Sequence, residues 1–130
     1  MREIKFRVFD TTTHDMYHPG EDGSQLIIGM SHALDGDRNY VALWSDEGEI
    51  CREGDAEFMQ YTGLKDKDGR EIYEDDIVEF GAGPYQVVYE KGCHYVHTPH
   101  DSEFLHVIKE SYIEIIGNIH SNPELLEVAE

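Results

Sequence analysis

The chain has 130 residues, of which 39% are hydrophobic, so its length and composition fit one small folded unit with a modest core. Ten Lys and Arg residues face 28 Asp and Glu residues, which gives a formal net charge of −18. Because this charge repels phosphate backbones, the composition argues against direct nucleic-acid binding and favours either simple solubility or a partner with a cationic surface.

Three features of the sequence predict a soluble protein of the cytoplasm. The first ten residues, MREIKFRVFD, are charged and alternating, and they lack the apolar core of a signal peptide. Cys51 and Cys93 form no motif by their spacing, which is typical of a reduced, intracellular protein. No apolar run approaches the length of a membrane span, so no membrane association is expected.

The first part of the chain, residues 1–57, is predicted to be a β-rich region. Ile4, Phe6 and Val8 alternate with charged residues, and this period of two indicates a half-buried strand. Pro, Gly and acidic residues mark loops between the apolar runs. Further short strands are predicted at residues 16–17, 26–28 and 40–44, and loops at residues 18–25 and 31–39.

The second part, residues 58–130, predicts a more regular series of short strands and turns. Asp68-Gly69 is a hairpin signal, Gly117 with Asn118 predicts a bulge or a strand stop, and Pro123 begins a short helix with Asn122 as its cap. Strands are predicted at residues 58–62, 72–73, 77–80, 85–89 and 112–119, and residues 93–106 are predicted to be irregular. The pattern predicts a mainly β fold, with a β-rich α+β fold as the alternative. We expect a small SH3-like barrel in the C-terminal half, an N-terminal β appendage and a short C-terminal helix.

A segment rich in His and Cys is the first candidate for chemistry. Neutral imidazoles and a thiolate are the ligands that zinc prefers. The spacing matches no standard zinc site, however, and a His-rich surface loop explains the same residues. We therefore assign no metal site and expect no cofactor. The candidate ligands are Cys93, His94, His97, His100, Asp101 and His106.

Two acidic segments also invite a functional interpretation. Asp66, Asp68 and Gly69 imitate part of a calcium loop, but Leu64 would then occupy its first position and cannot bind the ion, so a hairpin turn is favoured. The adjacent carboxylates at residues 74–76 belong to no recognisable catalytic motif. The sequence therefore favours a non-enzymatic protein over an enzyme. Aromatic residues at strand positions are expected mostly in the core, with one or two in a subunit contact: Tyr40, Trp44, Tyr61 and Tyr73.

Three blocks of sequence resemble the YopX family, whose members are small proteins encoded mostly by bacteriophages and prophages. They are MREIKFRVFD, MQYTGLKDKDGREIYEDDIV and YIEIIGNIHSNPELL, in the family's order. The family pattern often has Gly at the position of Asp75 and Trp or Tyr at the position of Phe9. The resemblance implies a β-rich fold with a barrel-like C-terminal part, a phage or prophage origin, a bacterial cytoplasm and homo-oligomerisation. It transfers no established activity.

Together these features predict an accessory protein of unknown biochemical activity that acts by protein–protein interaction through its acidic surface. Its partner would be a host or phage protein with a basic surface. The alternative is a metal-binding regulator or metal-dependent enzyme that uses the cluster at residues 93–106.

Overall fold

The computed structural model describes residues 5–33, 36–52, 54–81, 84–90, 92–98 and 101–127. In this part of the chain the structure is mainly β, which confirms the predicted fold class, and it contains twelve strands and one short α-helix. No helix in the described residues is long and apolar enough to cross a membrane. The strands are β1 Phe6–Asp10, β2 Asp15–Tyr17, β3 Gln25–Ala33, β4 Gly36–Ser45, β5 Gly48–Arg52, β6 Ala56–Lys65, β7 Glu71–Tyr73, β8 Asp76–Glu79, β9 Pro84–Glu90, β10 Cys93–Thr98, β11 Asp101–Phe104 and β12 Glu114–Asn118, and the helix is α1 Glu124–Glu127.

The chain divides into two compact units. One unit is Phe6–Phe58, and the other combines Met1–Lys5 with Met59–Glu130. Strand β6 contributes residues to both units. The predicted division into domains of residues 1–57 and 58–130 stays a prediction.

Within Phe6–Phe58, β1 and β2 form a hairpin, and β3, β4 and β5 form a three-stranded antiparallel sheet. The ladder between β3 and β4 runs from Gln25 opposite Trp44 to Ala33 opposite Gly36. The predicted loop at residues 31–39 is therefore wrong where it overlaps these strands. The polar composition of this segment suggested a loop, but backbone hydrogen bonds to the opposite strand hold it extended whatever its side chains are.

The core of this unit is small. Val8, Leu43 and Cys51 are buried together, so residues from β1, β4 and β5 meet in one cluster. Half-buried hydrophobic side chains surround the cluster: Tyr17, Leu26, Ile50, Ala56 and Phe58.

The second unit contains the β6–β7 hairpin and a five-stranded sheet in the order β11-β10-β9-β8-β12. Strand β12, the last of the five in the chain, pairs with β8, the first of the five. Two 3-10 turns, Leu105–Val107 and Glu110–Tyr112, precede β12. The SH3-like closure of this sheet stays a prediction. The predicted irregular segment at residues 93–106 is wrong, because it forms β10, β11 and the first 3-10 turn.

The core of the second unit is larger and includes residues from most of its elements. The buried side chains are Ile72, Val78, Tyr85, Val87, Val96, Leu105 and Ile113. The predicted bulge in the last strand is confirmed, since the β12–β8 register shifts between Ile115 and Gly117. The predicted C-terminal helix is confirmed as α1, which contacts β9.

Candidate functional site

The acidic turn between β7 and β8 is tied into the second unit by its own side chains. Glu74 Oε1 accepts the backbone N–H of Gln60 at 3.0 Å, and Glu74 Oε2 lies 3.1 Å from Nε2 of the buried His94. Asp76 Oδ2 accepts the backbone N–H of Tyr73 at 2.8 Å. Burial raises the pKa of Glu74, but the hydrogen bonds from His94 and Gln60 outweigh it and lower that pKa. The carboxylates of Glu74 and Asp76 therefore stabilise the turn through internal hydrogen bonds.

Asp75, the middle residue of this turn, has a positive φ of 70° that non-glycine residues rarely adopt. Its carboxylate accepts from Gln86 Nε2 at 3.2 Å and lies 3.3 Å from His120 Nε2. Its backbone N–H donates to Val87 O, and its carbonyl accepts from the N–H of Ile119. Asp75 thus joins the turn to β9 and to the segment that follows β12, which offsets the cost of its backbone conformation.

The segment that imitates a calcium loop forms the turn between β6 and β7. Asp66 Oδ1 accepts the backbone N–H groups of Asp68 and Arg70 at 3.0 and 2.9 Å, and Oδ2 accepts the N–H of Ile115 at 3.1 Å. Gly69 has the positive φ that the turn requires. The structure therefore supports the hairpin interpretation, because the carboxylate of Asp66 is already surrounded by donors.

The proposed metal ligands do not share one face of the sheet. His94 is buried, with 1% of its surface exposed, whereas Cys93 and His97, on the same strand β10, are exposed. His94 contacts Tyr89 edge to face, with ring centroids 4.9 Å apart. Among the described residues, no group of three or more His, Cys, Asp or Glu side chains is arranged to hold a metal ion. Of the other candidates, His106 is exposed, the side chain of Asp101 is outside the described part, and His100 lies outside the described residues.

The aromatic residues divide between core and surface. Tyr61 and Tyr73 are buried against each other, with ring centroids 5.6 Å apart, as expected for core residues. Trp44 is half-buried at the end of β4, and the side chain of Tyr40 lies outside the described part.

The sequence did not predict the apolar groove of the first unit. The groove has a volume of about 440 Å³ and is lined by residues of β1, β3, β4 and β6. Phe6 and Ile27 keep 38% and 41% of their surface exposed, although both are large hydrophobic residues. Alternation along a strand identifies a hydrophobic face, but it does not show which part of that face stays uncovered. The lining residues are Phe6, Leu26, Ile27, Val41 and Phe58.

A smaller pocket of about 140 Å³ adjoins the groove, because Ile27 lines both. Gln25 and Trp44, which are paired across the β3–β4 ladder, contribute to its wall. Asp46, at the turn after β4, adds an exposed carboxylate. The apolar groove thus meets, at Ile27, a pocket that combines an indole ring with a negative charge.

A third cavity in the same unit, of about 250 Å³, is lined mostly by polar residues. It is lined on one side by Asp10, Thr12 and Thr13 and on the other by residues of β5 and the turn after it. Cys51 is among these residues, but burial, together with the charge of Asp10, raises the pKa of its thiol to about 11. A thiol with this pKa is almost fully protonated at neutral pH, so it is a poor nucleophile.

Comparison with known proteins identifies a structure of similar fold and a matching family. No curated protein matches the chain. The crystal structure of protein EF1440 from Enterococcus faecalis is similar, with a TM-score of 0.61 and 24% identity over 97% of this chain and 99% of that chain. That likeness supports the fold. The sequence profile described as YopX protein matches residues 5–127, which is nearly the whole chain. The chain therefore belongs to the YopX family, as its three sequence blocks predicted.

Proposed function

We propose that this protein is a phage- or prophage-encoded accessory protein that acts in the bacterial cytoplasm by binding another protein, without catalysing a reaction. The apolar groove of the first unit carries this proposal. The groove has a volume of about 440 Å³, and all of its described lining residues are hydrophobic, in a chain with a net charge of −18. Exposed hydrophobic surface with a polar surround is typical of a site that binds a partner.

The carboxylates of the second unit support a binding role over an enzymatic one. Glu74, Asp76 and Asp75 accept hydrogen bonds from β6, β7 and β9, respectively. Asp66 accepts hydrogen bonds both within its own turn and from β12. A general acid or base must reach a substrate, and these groups are committed to internal donors instead. The many exposed acids then provide a negative surround that attracts a basic partner.

Site-specific crosslinking tests the proposal. A photoreactive benzoylphenylalanine replaces Ile27 in the groove, and a matched variant carries it at Tyr112, which is 65% exposed in the other unit. After irradiation in an extract of the host bacterium, we expect position 27 to capture a defined protein with a basic surface. Equal capture at both positions, or capture of nothing at position 27, would contradict the proposal.

The predicted homo-oligomer is tested separately, by sedimentation velocity over a range of protein concentrations. Self-association that Ile27→Ser abolishes would make a second copy the occupant of the groove. The metal-binding alternative is tested by elemental analysis of protein purified without a His tag. A stoichiometric metal that stabilises the fold would favour that alternative.

A further inference from the structure

The groove and its neighbouring pocket together define the chemistry of the partner. Resting on the function proposed above, we infer that they bind an extended segment that places a bulky apolar side chain in the groove and a Lys or Arg side chain beside Trp44 and Asp46. The groove alone would accept any hydrophobic group, so the pocket supplies the selectivity.

The first argument is the position of Ile27 between the two cavities. Leu26 and Ile27 line the groove, while Gln25 and Ile27 line the pocket. By the β3–β4 register, Leu26 and Val41 of the groove lie on one face of the sheet. Gln25, Ile27 and Trp44 lie on the other face, so the two cavities meet at Ile27 on the edge strand β3. An extended segment that runs along this edge presents successive side chains to the two faces, so it can place one in the groove and the next in the pocket.

The second argument is the chemistry of the pocket. An indole face attracts a cation more strongly than any other aromatic ring, and a carboxylate adds a direct charge partner. Trp44 is half-buried and Asp46 is exposed, so a bound cation would lie between an apolar wall and solvent. Long cationic side chains suit this setting, because their methylene groups pack on apolar surface while the charge stays hydrated.

The third argument is the electrostatic balance of the unit. Among its described residues, neither cavity is lined by Lys or Arg. Arg7 is buried, with 7% of its surface exposed, and Arg52 forms an ion pair with Glu49 at 2.8 Å. Within the described lining of the pocket, no cationic side chain therefore offsets the charge of Asp46. A second copy of this chain, also with a net charge of −18, is a poorer match than a cationic segment.

Trp44 is the only tryptophan of the chain, so its fluorescence reports directly on the pocket. The probes are synthetic decapeptides whose remaining residues are glycine and serine. One series carries a phenylalanine and an arginine at neighbouring or alternate positions, and a matched series has neutral citrulline in place of arginine. We expect the arginine series to bind about tenfold more tightly, from the combined cation–π and charge contributions, and to shift the Trp44 emission.

Variants separate the two cavities. Asp46→Asn is expected to weaken binding of the arginine peptide about threefold and to leave the citrulline peptide unchanged. Glu47→Gln is the matched control, because Glu47 is an exposed acid next in sequence that lines neither cavity. Ile27→Ser is expected to weaken both peptides about tenfold, since it removes apolar contact area from the groove. Far-ultraviolet circular dichroism confirms that each variant folds.

The outcomes distinguish this inference from the proposed function. If both peptides bind equally, are equally weakened by Ile27→Ser and ignore Asp46→Asn, the cationic pocket is refuted while the groove remains a binding site. If neither peptide binds and photocrosslinking at position 27 captures no protein, both proposals fail. Self-association through the groove, seen by sedimentation, would also overturn the inference. Selective loss of arginine binding in Asp46→Asn, but not in Glu47→Gln, would support it.

Discussion

Replacement of Asp66 by asparagine tests the claim that a buried carboxylate organises the β6–β7 turn. The side chain of Asp66 is fully buried and accepts three backbone N–H groups, while the Arg70 guanidinium lies 3.0 Å from Oδ2. Asparagine keeps one acceptor oxygen and turns an NH₂ group toward donors on the other side. It therefore loses either the two loop N–H groups or the N–H of Ile115.

The size of the effect follows from these contacts. A hydrogen bond to a charged group contributes roughly 1.5–3 kcal/mol, and a donor left without an acceptor adds its own desolvation cost. The ion pair with Arg70 adds little, because that side chain is 53% exposed. We expect Asp66→Asn to lower the free energy of unfolding by about 3 kcal/mol.

Urea denaturation followed by circular dichroism measures the change. Asp68→Asn is the control, since Asp68 is 59% exposed and lies 3.8 Å from Arg70. We expect that control to change the free energy of unfolding by less than about 0.5 kcal/mol. A loss in Asp66→Asn no larger than in the control would refute the assigned role.

The difference in the free energy of unfolding between the wild type and Asp66→Asn should depend on pH in a defined way. Burial raises the pKa of Asp66, but the N–H groups of Ile115, Arg70 and Asp68 and the charge of Arg70 outweigh it and lower that pKa below its ordinary value of 3.8. The contribution of a carboxylate with a lowered pKa is complete above the pKa of the unfolded chain and is lost as the pH falls through the folded value. The stability gap between the wild type and Asp66→Asn should therefore be constant down to about pH 5 and narrow below it. A gap that widens on acidification would contradict this assignment.

Three further predictions concern single positions. Asp75→Gly should be about 1 kcal/mol more stable than Asp75→Ala in thermal melts, because both lose the side-chain contacts and only Ala retains the strain of a positive φ; the reverse order would contradict it. Gly117→Ala should cost about 2 kcal/mol, because its Cβ would meet Asn122 Oδ1 at 2.5 Å. A double-mutant cycle with Asn122→Ala should show a coupling of at least about 1 kcal/mol, and additive losses would exclude the clash. Iodoacetamide at about pH 8 should modify the exposed Cys93 and spare Cys51, whose pKa is raised to about 11 by burial. Peptide mass spectrometry reads this out, and equal labelling would disprove it.

Local chemistry made much of the fold predictable. Asp68-Gly69 predicted the hairpin, Gly117 predicted the bulge, and Pro123 predicted the start of a short helix. Each of these signals depends on the backbone preferences of one or two residues, so no long-range contact was needed to interpret it.

The errors arose where long-range contacts decide the structure. In β10 the alternation is regular, but His94 occupies a core position and conceals the hydrophobic period. At residues 31–39 pairing between β3 and β4 overrides a polar composition. The groove brings together Phe6 and Phe58, which are 52 positions apart in the sequence, and no local pattern predicts such a contact.

The carboxylates of this protein fall into two groups with different roles. Carboxylates such as Asp66 and Asp75 hold backbone and side-chain donors inside the fold, so neutralising them should weaken the fold itself. Exposed acids such as Asp46 and Glu47 are not constrained in this way and can be exchanged without unfolding the chain. Substitutions can therefore change the surface charge, and with it the affinity for the cationic partner proposed above, while the internal carboxylates stay fixed.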